Sequence, residues 1–146
     1  FVKINDLSMA DAHRVMDVNF TGPLMLTKAF LPGLLARPEA HILNVSSMGA
    51  YAPVPGQSVY GASKAALEQL TRAFAVRLGP AGVRVNAVRP GLRHDTMNGM
   101  PDQHLQRVGS TVPLRRLAQP GHAVAGLPSA STVATRQTAK RPRIVM

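Results

Sequence analysis

The chain has 146 residues, of which 45% are hydrophobic and 16% charged, and it contains no cysteine. That length suits one domain, and the apolar share excludes a disordered or low-complexity chain. The missing cysteines exclude a disulfide-stapled scaffold and a thiolate metal site. The formal net charge is +10, but it is unevenly placed. Residues 1–102 hold all seven Asp and Glu against ten Lys and Arg, a net of +3. Beyond them come only Arg107, Arg115, Arg116, Arg136, Lys140, Arg141 and Arg143. This basic end has no aromatic residue to stack on bases and no helix-turn-helix or zinc pattern, which argues against specific nucleic-acid binding. The longest apolar stretch, Phe20 to Ala36, is interrupted by Pro23, Lys28 and Pro32 and is too short to span a bilayer. No charged leader with a cleavage site is visible, so a reduced, cytoplasmic setting without membrane attachment is expected.

In chain order, residues 1–7 read as a loop and Ser8 as a helix N-cap, with Asp11 in the first turn. Val15, Val18, Phe20, Leu24, Leu26, Phe30, Leu31, Leu34 and Leu35 then recur at helical spacing. They predict a long buried helix over about 8–36, bent or broken at Gly22-Pro23. His41 to Ser46 reads as a buried strand and 48–57, with two glycines and two prolines, as a loop. A second helix is predicted over about 58–78. Ala62, Ala65, Ala66, Leu67, Leu70, Phe74 and Leu78 lie on its inner face, and Gly79-Pro80 stops it. Val83 to Val88 is a second strand closed by Pro90-Gly91, and a short helix is expected near Asp102 to Val108. Helix, strand, helix, strand is the rhythm of an α/β fold with a parallel sheet. Two strands do not make a stable parallel sheet by themselves, so the sheet is incomplete as it stands. Residues 127–146 form an atypical basic tail without periodicity, expected to be disordered.

The chemistry-bearing segment is Ser46-Ser47, twelve further residues, then Tyr60-Gly61-Ala62-Ser63-Lys64. Tyr60 and Lys64 stand four apart on a predicted helix and share a face. An ammonium near a phenol favours the phenolate, which would make Tyr60 a usable general acid or base. The serine pair lies where a strand gives way to a loop, the end of an α/β strand at which sites form, and a hydroxyl there can polarise a carbonyl. Alone, a Tyr-xxx-Lys spacing is common by chance and a Ser-Ser pair is ordinarily a turn former. The order of all these features gives them weight.

With Val18-Asn19, Ile42 to Ser47, Tyr60 to Ala66, Val83 to Val88 and Arg89-Pro90-Gly91, the sequence resembles the short-chain dehydrogenase/reductase family over about residues 1–120. The resemblance implies a partial Rossmann-like, doubly wound parallel sheet over 1–126. It also implies reversible hydride transfer between NAD or NADP and a small carbonyl or alcohol substrate. Tyr60 would be the acid/base, and Lys64 would hold the nicotinamide ribose. Ser47, thirteen residues before Tyr60, would contact the substrate oxygen. Asn19 would keep a water in the proton relay through Lys64, and Pro90 and Gly91 would lie against the nicotinamide. The two long helices would form a homo-oligomer interface.

Departures from the family are equally visible. No glycine-rich phosphate-binding turn occurs in these 146 residues, and neither does the Asn-Asn-Ala-Gly segment nor the residue that selects NAD or NADP. The chain therefore reads as the C-terminal part of such a protein. Thr96 lies six residues after Pro90 rather than five, and Arg93 stands where an apolar residue is usual. The segment past about Gly126 reads as a shifted frame or degraded terminus. Two rival expectations are an inactive remnant that only pairs with a full-length homologue, and a basic nucleic-acid binder.

Overall fold

The computed structural model describes residues 2–91, 101–111 and 117. They fall into two compact units, the first ending at Val88 and the second beginning at Arg89. Arg93, Thr96 and the 127–146 tail lie outside the described residues.

In the first unit, a short 3-10 turn (Ile4–Asp6) precedes α1, Met9–Met16. Ser8 caps α1 as the sequence predicts: its Oγ accepts from the Asp11 N–H at 3.0 Å and donates to Asp11 Oδ2 at 2.7 Å. One orphan N–H of the first turn is thereby satisfied, and the second bond holds the capping hydroxyl in place. The expected break at Gly22-Pro23 is a π turn just before it, Asp17–Thr21, running directly into α2, Gly22–Leu35. Pro23 has no N–H to give the carbonyl four residues back, that of Asn19. The chain widens there, and the Gly22 N–H bonds to Asp17 O instead. Pro32 is carried inside α2.

Strand β1, Ala40–Val45, and strand β2, Val83–Val88, pair in parallel with Ala40 opposite Val83 and Val45 opposite Val88. Helix α3, Ser58–Leu78, is the crossover between them, with the bounds the sequence predicts. Past it, a 3-10 turn (Gly79–Ala81) leads to Gly82 at φ +83°, a left-handed conformation that only glycine adopts freely. Ala40, Leu78, Val83 and Val85 form the core, with Leu31, Leu34, Ile42, Phe74 and Ala75 against it.

Two expectations are corrected. The first helix and first strand were expected to be buried, yet Val18, Leu26, Phe30, Leu43 and Val45 are each more than half exposed. The Ala40 N–H bonds Gly82 O and the Ser46 N–H bonds Val88 O. By the period of two, the backbone groups of His41, Leu43 and Val45 point to the other edge of β1. That edge has no neighbouring strand among the described residues, so the apolar groove between α2 and β1 stays open. The inner face of α3 also differs. Leu67 and Leu78 are buried, but Ala62 is exposed, and Ser63, Glu68 and Thr71 are buried in its place. Each of these three polar groups has a partner across the fold, which is what makes its burial tolerable. The second unit contains α4, Asp102–Thr111, three residues longer than expected, with Leu105 and Gly109 buried.

Candidate active site

The carboxyl end of β1 faces the first two turns of α3. Ser47 follows the strand in extended conformation and starts a 3-10 turn, Met48–Ala50, by accepting the Gly49 N–H on its Oγ at 3.2 Å. This turn packs on α3 at two glycines. A Cβ at Gly61 would stand 2.7 Å from the Gly49 carbonyl oxygen, so only the missing side chain lets the turn come so close. A Cβ at Gly49 would stand 3.7 Å from Ser47 Oγ and 3.7 Å from Cδ1 and Cε1 of Tyr60. The serine hydroxyl and the tyrosine ring therefore meet over one glycine. Both residues are half-buried.

Lys64, one helical turn past Tyr60, places Nζ 5.9 Å from the centroid of the Tyr60 ring and donates to the Val45 carbonyl at 2.9 Å. One of its three N–H groups is used in that bond, so two are left to donate elsewhere. Ser47 Oγ accepts one bond and keeps its own proton to give. Among the described residues no hydrogen bond engages the Tyr60 hydroxyl. Ser47, Tyr60 and Lys64 thus present three hydroxyl or ammonium donors at one end of the strand, as their sequence spacing predicts.

Asn19 stands behind them in the π turn. Its Nδ2 donates to Ser63 Oγ at 3.1 Å, and Ser63 Oγ, fully buried, donates to the Tyr60 carbonyl at 2.7 Å. The asparagine side chain thus braces the backbone that carries Tyr60. Pro90 and Gly91 belong to the second unit and are half-buried, irregular residues just past β2.

Sequence reasoning missed a row of polar contacts between α3 and the strand. Ser46 Oγ donates to Glu68 Oε1 at 2.7 Å, and Asn44 Nδ2 donates to Thr71 Oγ1 at 2.9 Å. The sequence shows only that Ser63 and Thr71 stand at helical spacing with Leu67; nothing local names the partners that bury them. Among the described residues no group of three or more His, Cys, Asp or Glu side chains is placed to hold a metal ion, and no helix is long and apolar enough to cross a membrane.

Known proteins resemble this chain in sequence and in fold. Residues 2–130 match the family model described as enoyl-(acyl carrier protein) reductase. The chain is 34% identical over 123 residues to human dehydrogenase/reductase SDR family member 4, covering 82% of this chain and 44% of that protein. It is 35% identical over 125 residues to the oxidoreductase UcpA of Salmonella typhimurium, covering 79% of this chain and 48% of that protein. A solved structure of a Brucella melitensis 3-oxoacyl-[acyl-carrier protein] reductase with bound NAD superposes with a TM-score of 0.73 at 30% identity. It covers 84% of this chain and 45% of that one. The chain spans about half the length of the relatives it matches.

Proposed function

The chain belongs to the short-chain dehydrogenase/reductase family of NAD(P)-dependent oxidoreductases, and from that premise we propose that its residues supply the proton-transfer side of a carbonyl–alcohol interconversion. A nicotinamide cofactor, when bound, supplies or takes the hydride. In reduction, Tyr60 gives its hydroxyl proton to the substrate oxygen, and in oxidation it takes that proton back. Ser47 donates its own O–H to the same oxygen and holds it against Tyr60. Lys64 directs its two remaining N–H groups to the ribose hydroxyls. Asn19 is assigned to the water relay behind Lys64, and Pro90 and Gly91 to the nicotinamide face.

The observation that supports this reading is the convergence of Ser47 Oγ and the Tyr60 ring on Gly49, with Lys64 beside the same ring. The donor set suits the ribose-and-carbonyl end of a nicotinamide nucleotide. It offers nothing for the pyrophosphate, because the glycine-rich turn that would cradle it does not occur in these residues. Turnover of a small aldehyde or ketone with NADH or NADPH tests the reading, with Ser47→Ala and Tyr60→Phe as the decisive variants. Undiminished rates in both would remove these residues from their roles.

A second reading has one observation in its favour. Val18, Leu26 and Phe30 on the helix side of the open groove face Leu43 and Val45 on β1, all exposed. On this reading the chain acts by pairing with a full-length family member. Sedimentation of the chain mixed with such a relative separates the two: a stable complex without turnover favours pairing, and turnover favours catalysis.

A further inference from the structure

Tyr60, Lys64, Glu68 and Arg72 follow one another at spacings of four along α3, so that each neighbours the next. Lys64 and Glu68 grip two successive residues at the end of β1. Lys64 Nζ donates to the Val45 carbonyl at 2.9 Å, and Glu68 Oε1 accepts from the Ser46 hydroxyl at 2.7 Å. Glu68 is 6% exposed and Ser46 3% exposed. Arg72 approaches the other carboxylate oxygen at 3.8 Å. Burying a carboxylate is costly, so placing one here calls for a role that a turn-forming serine does not require.

Ser46 is anchored twice, by its N–H on Val88 O at 2.8 Å and by its hydroxyl on Glu68. The next peptide leads directly to Ser47, whose extended backbone aims its Oγ at Gly49 and toward Tyr60. With the side-chain anchor gone, Ser46 itself keeps only its N–H bond to Val88, while Lys64 on the Val45 carbonyl and the Ala50 N–H on the Ser47 carbonyl hold its neighbours. We propose that Glu68 is a positioning residue: through Ser46 it fixes the strand end from which Ser47 is presented to Tyr60. The proposal rests on the reading of Ser47 as the hydroxyl that holds the substrate oxygen. A hydrogen bond between a hydroxyl and a charged group is short and strong enough to serve as such an anchor.

Amide hydrogen exchange by nuclear magnetic resonance on the 146-residue chain tests it. Glu68→Ala and Ser46→Ala are each expected to speed exchange at Gly49 by about tenfold, with the double variant no faster. Glu68→Gln, which keeps an acceptor, is expected to stay within about twofold of the parent. Tyr60 ring resonances shift in both alanine variants, whereas the amides of α1 hold still. Unchanged Gly49 protection in Ser46→Ala overturns the proposal, and so does a glutamine variant as loose as the alanine one. Should Glu68→Ala fail to fold, Ser46→Ala and Glu68→Gln decide alone. Near-normal turnover in Ser47→Ala counts instead against the reading beneath, and is measured separately from the exchange.

Discussion

Lys64 reaches back one helical turn to lie 5.9 Å from the centre of the Tyr60 ring while its ammonium bonds the Val45 carbonyl. The lysine thereby ties the helix that carries the phenol to the end of the first strand. Tyr60 contributes its ring to packing against Gly49, and its hydroxyl lies outside the internal bonding among the described residues.

Tyr60→Phe is therefore expected to separate chemistry from stability. The ring and its contact with Gly49 remain, so the thermal midpoint should stay within what about 0.5 kcal/mol produces. Turnover, measured with these residues joined to a glycine-rich phosphate-binding half, should fall by about 10²- to 10⁴-fold, the usual range for removing a positioned acid or base. The check is nicotinamide absorbance in the rate assay beside thermal unfolding of the same samples. A variant that turns over normally would remove the proton-transfer role.

Cofactor affinity of the chain alone is expected to be low. Tyr60 and Lys64 address the ribose, but no glycine-rich turn is present to meet the pyrophosphate, the charge that a helix N-terminus ordinarily holds. Titration with NADH and NADPH, followed by nicotinamide fluorescence, should show no saturation through the micromolar range. Tight binding would reveal a phosphate site elsewhere in the chain.

The bond between Asn19 and Ser63 joins residues 44 apart in sequence and ends on the Tyr60 carbonyl. Asn19→Ala leaves a fully buried hydroxyl with its bond to that carbonyl but without its incoming donor. A loss of about 1–2 kcal/mol is expected. The loss should be smaller when Ser63→Ala is already present, since the group left unsatisfied is then gone. A double-mutant cycle by chemical denaturation measures the difference, and additive losses would show that the pair does not act as a unit.

The extents of α3 and β2 were legible because each is announced locally: helical spacing ended by Gly79-Pro80, then an apolar run ended by Pro90-Gly91. The spacing of Ser47, Tyr60 and Lys64 was legible for the same reason, since two motifs on neighbouring elements fix it. The polar seam was not. Ser63, Glu68 and Thr71 are buried because Asn19, Ser46 and Asn44 meet them from 44, 22 and 27 residues away, and no local pattern encodes such a meeting. Exposure of Phe30 and Leu43 was equally hidden. Their apolar character marks them for burial, and only the open edge of β1 shows that no described element covers them.

Gly82 closes the crossover between α3 and β2 at φ +83°, and its N–H bonds back to the Gly79 carbonyl. A Cβ there would stand 3.1 Å from the Pro38 carbonyl oxygen, just before the start of β1. Gly82→Ala meets both obstacles: the left-handed backbone costs about 1–2 kcal/mol, and the contact forces Pro38 or Gly82 to give way. Stability should fall by at least that amount, with a thermal midpoint lower by several degrees. Gly82→Asn tolerates the left-handed region better and should lose less. Equal losses in the two variants would assign the cost to the Pro38 contact and not to the backbone conformation. An alanine variant as stable as the parent would show that the turn relaxes without disturbing the start of either strand.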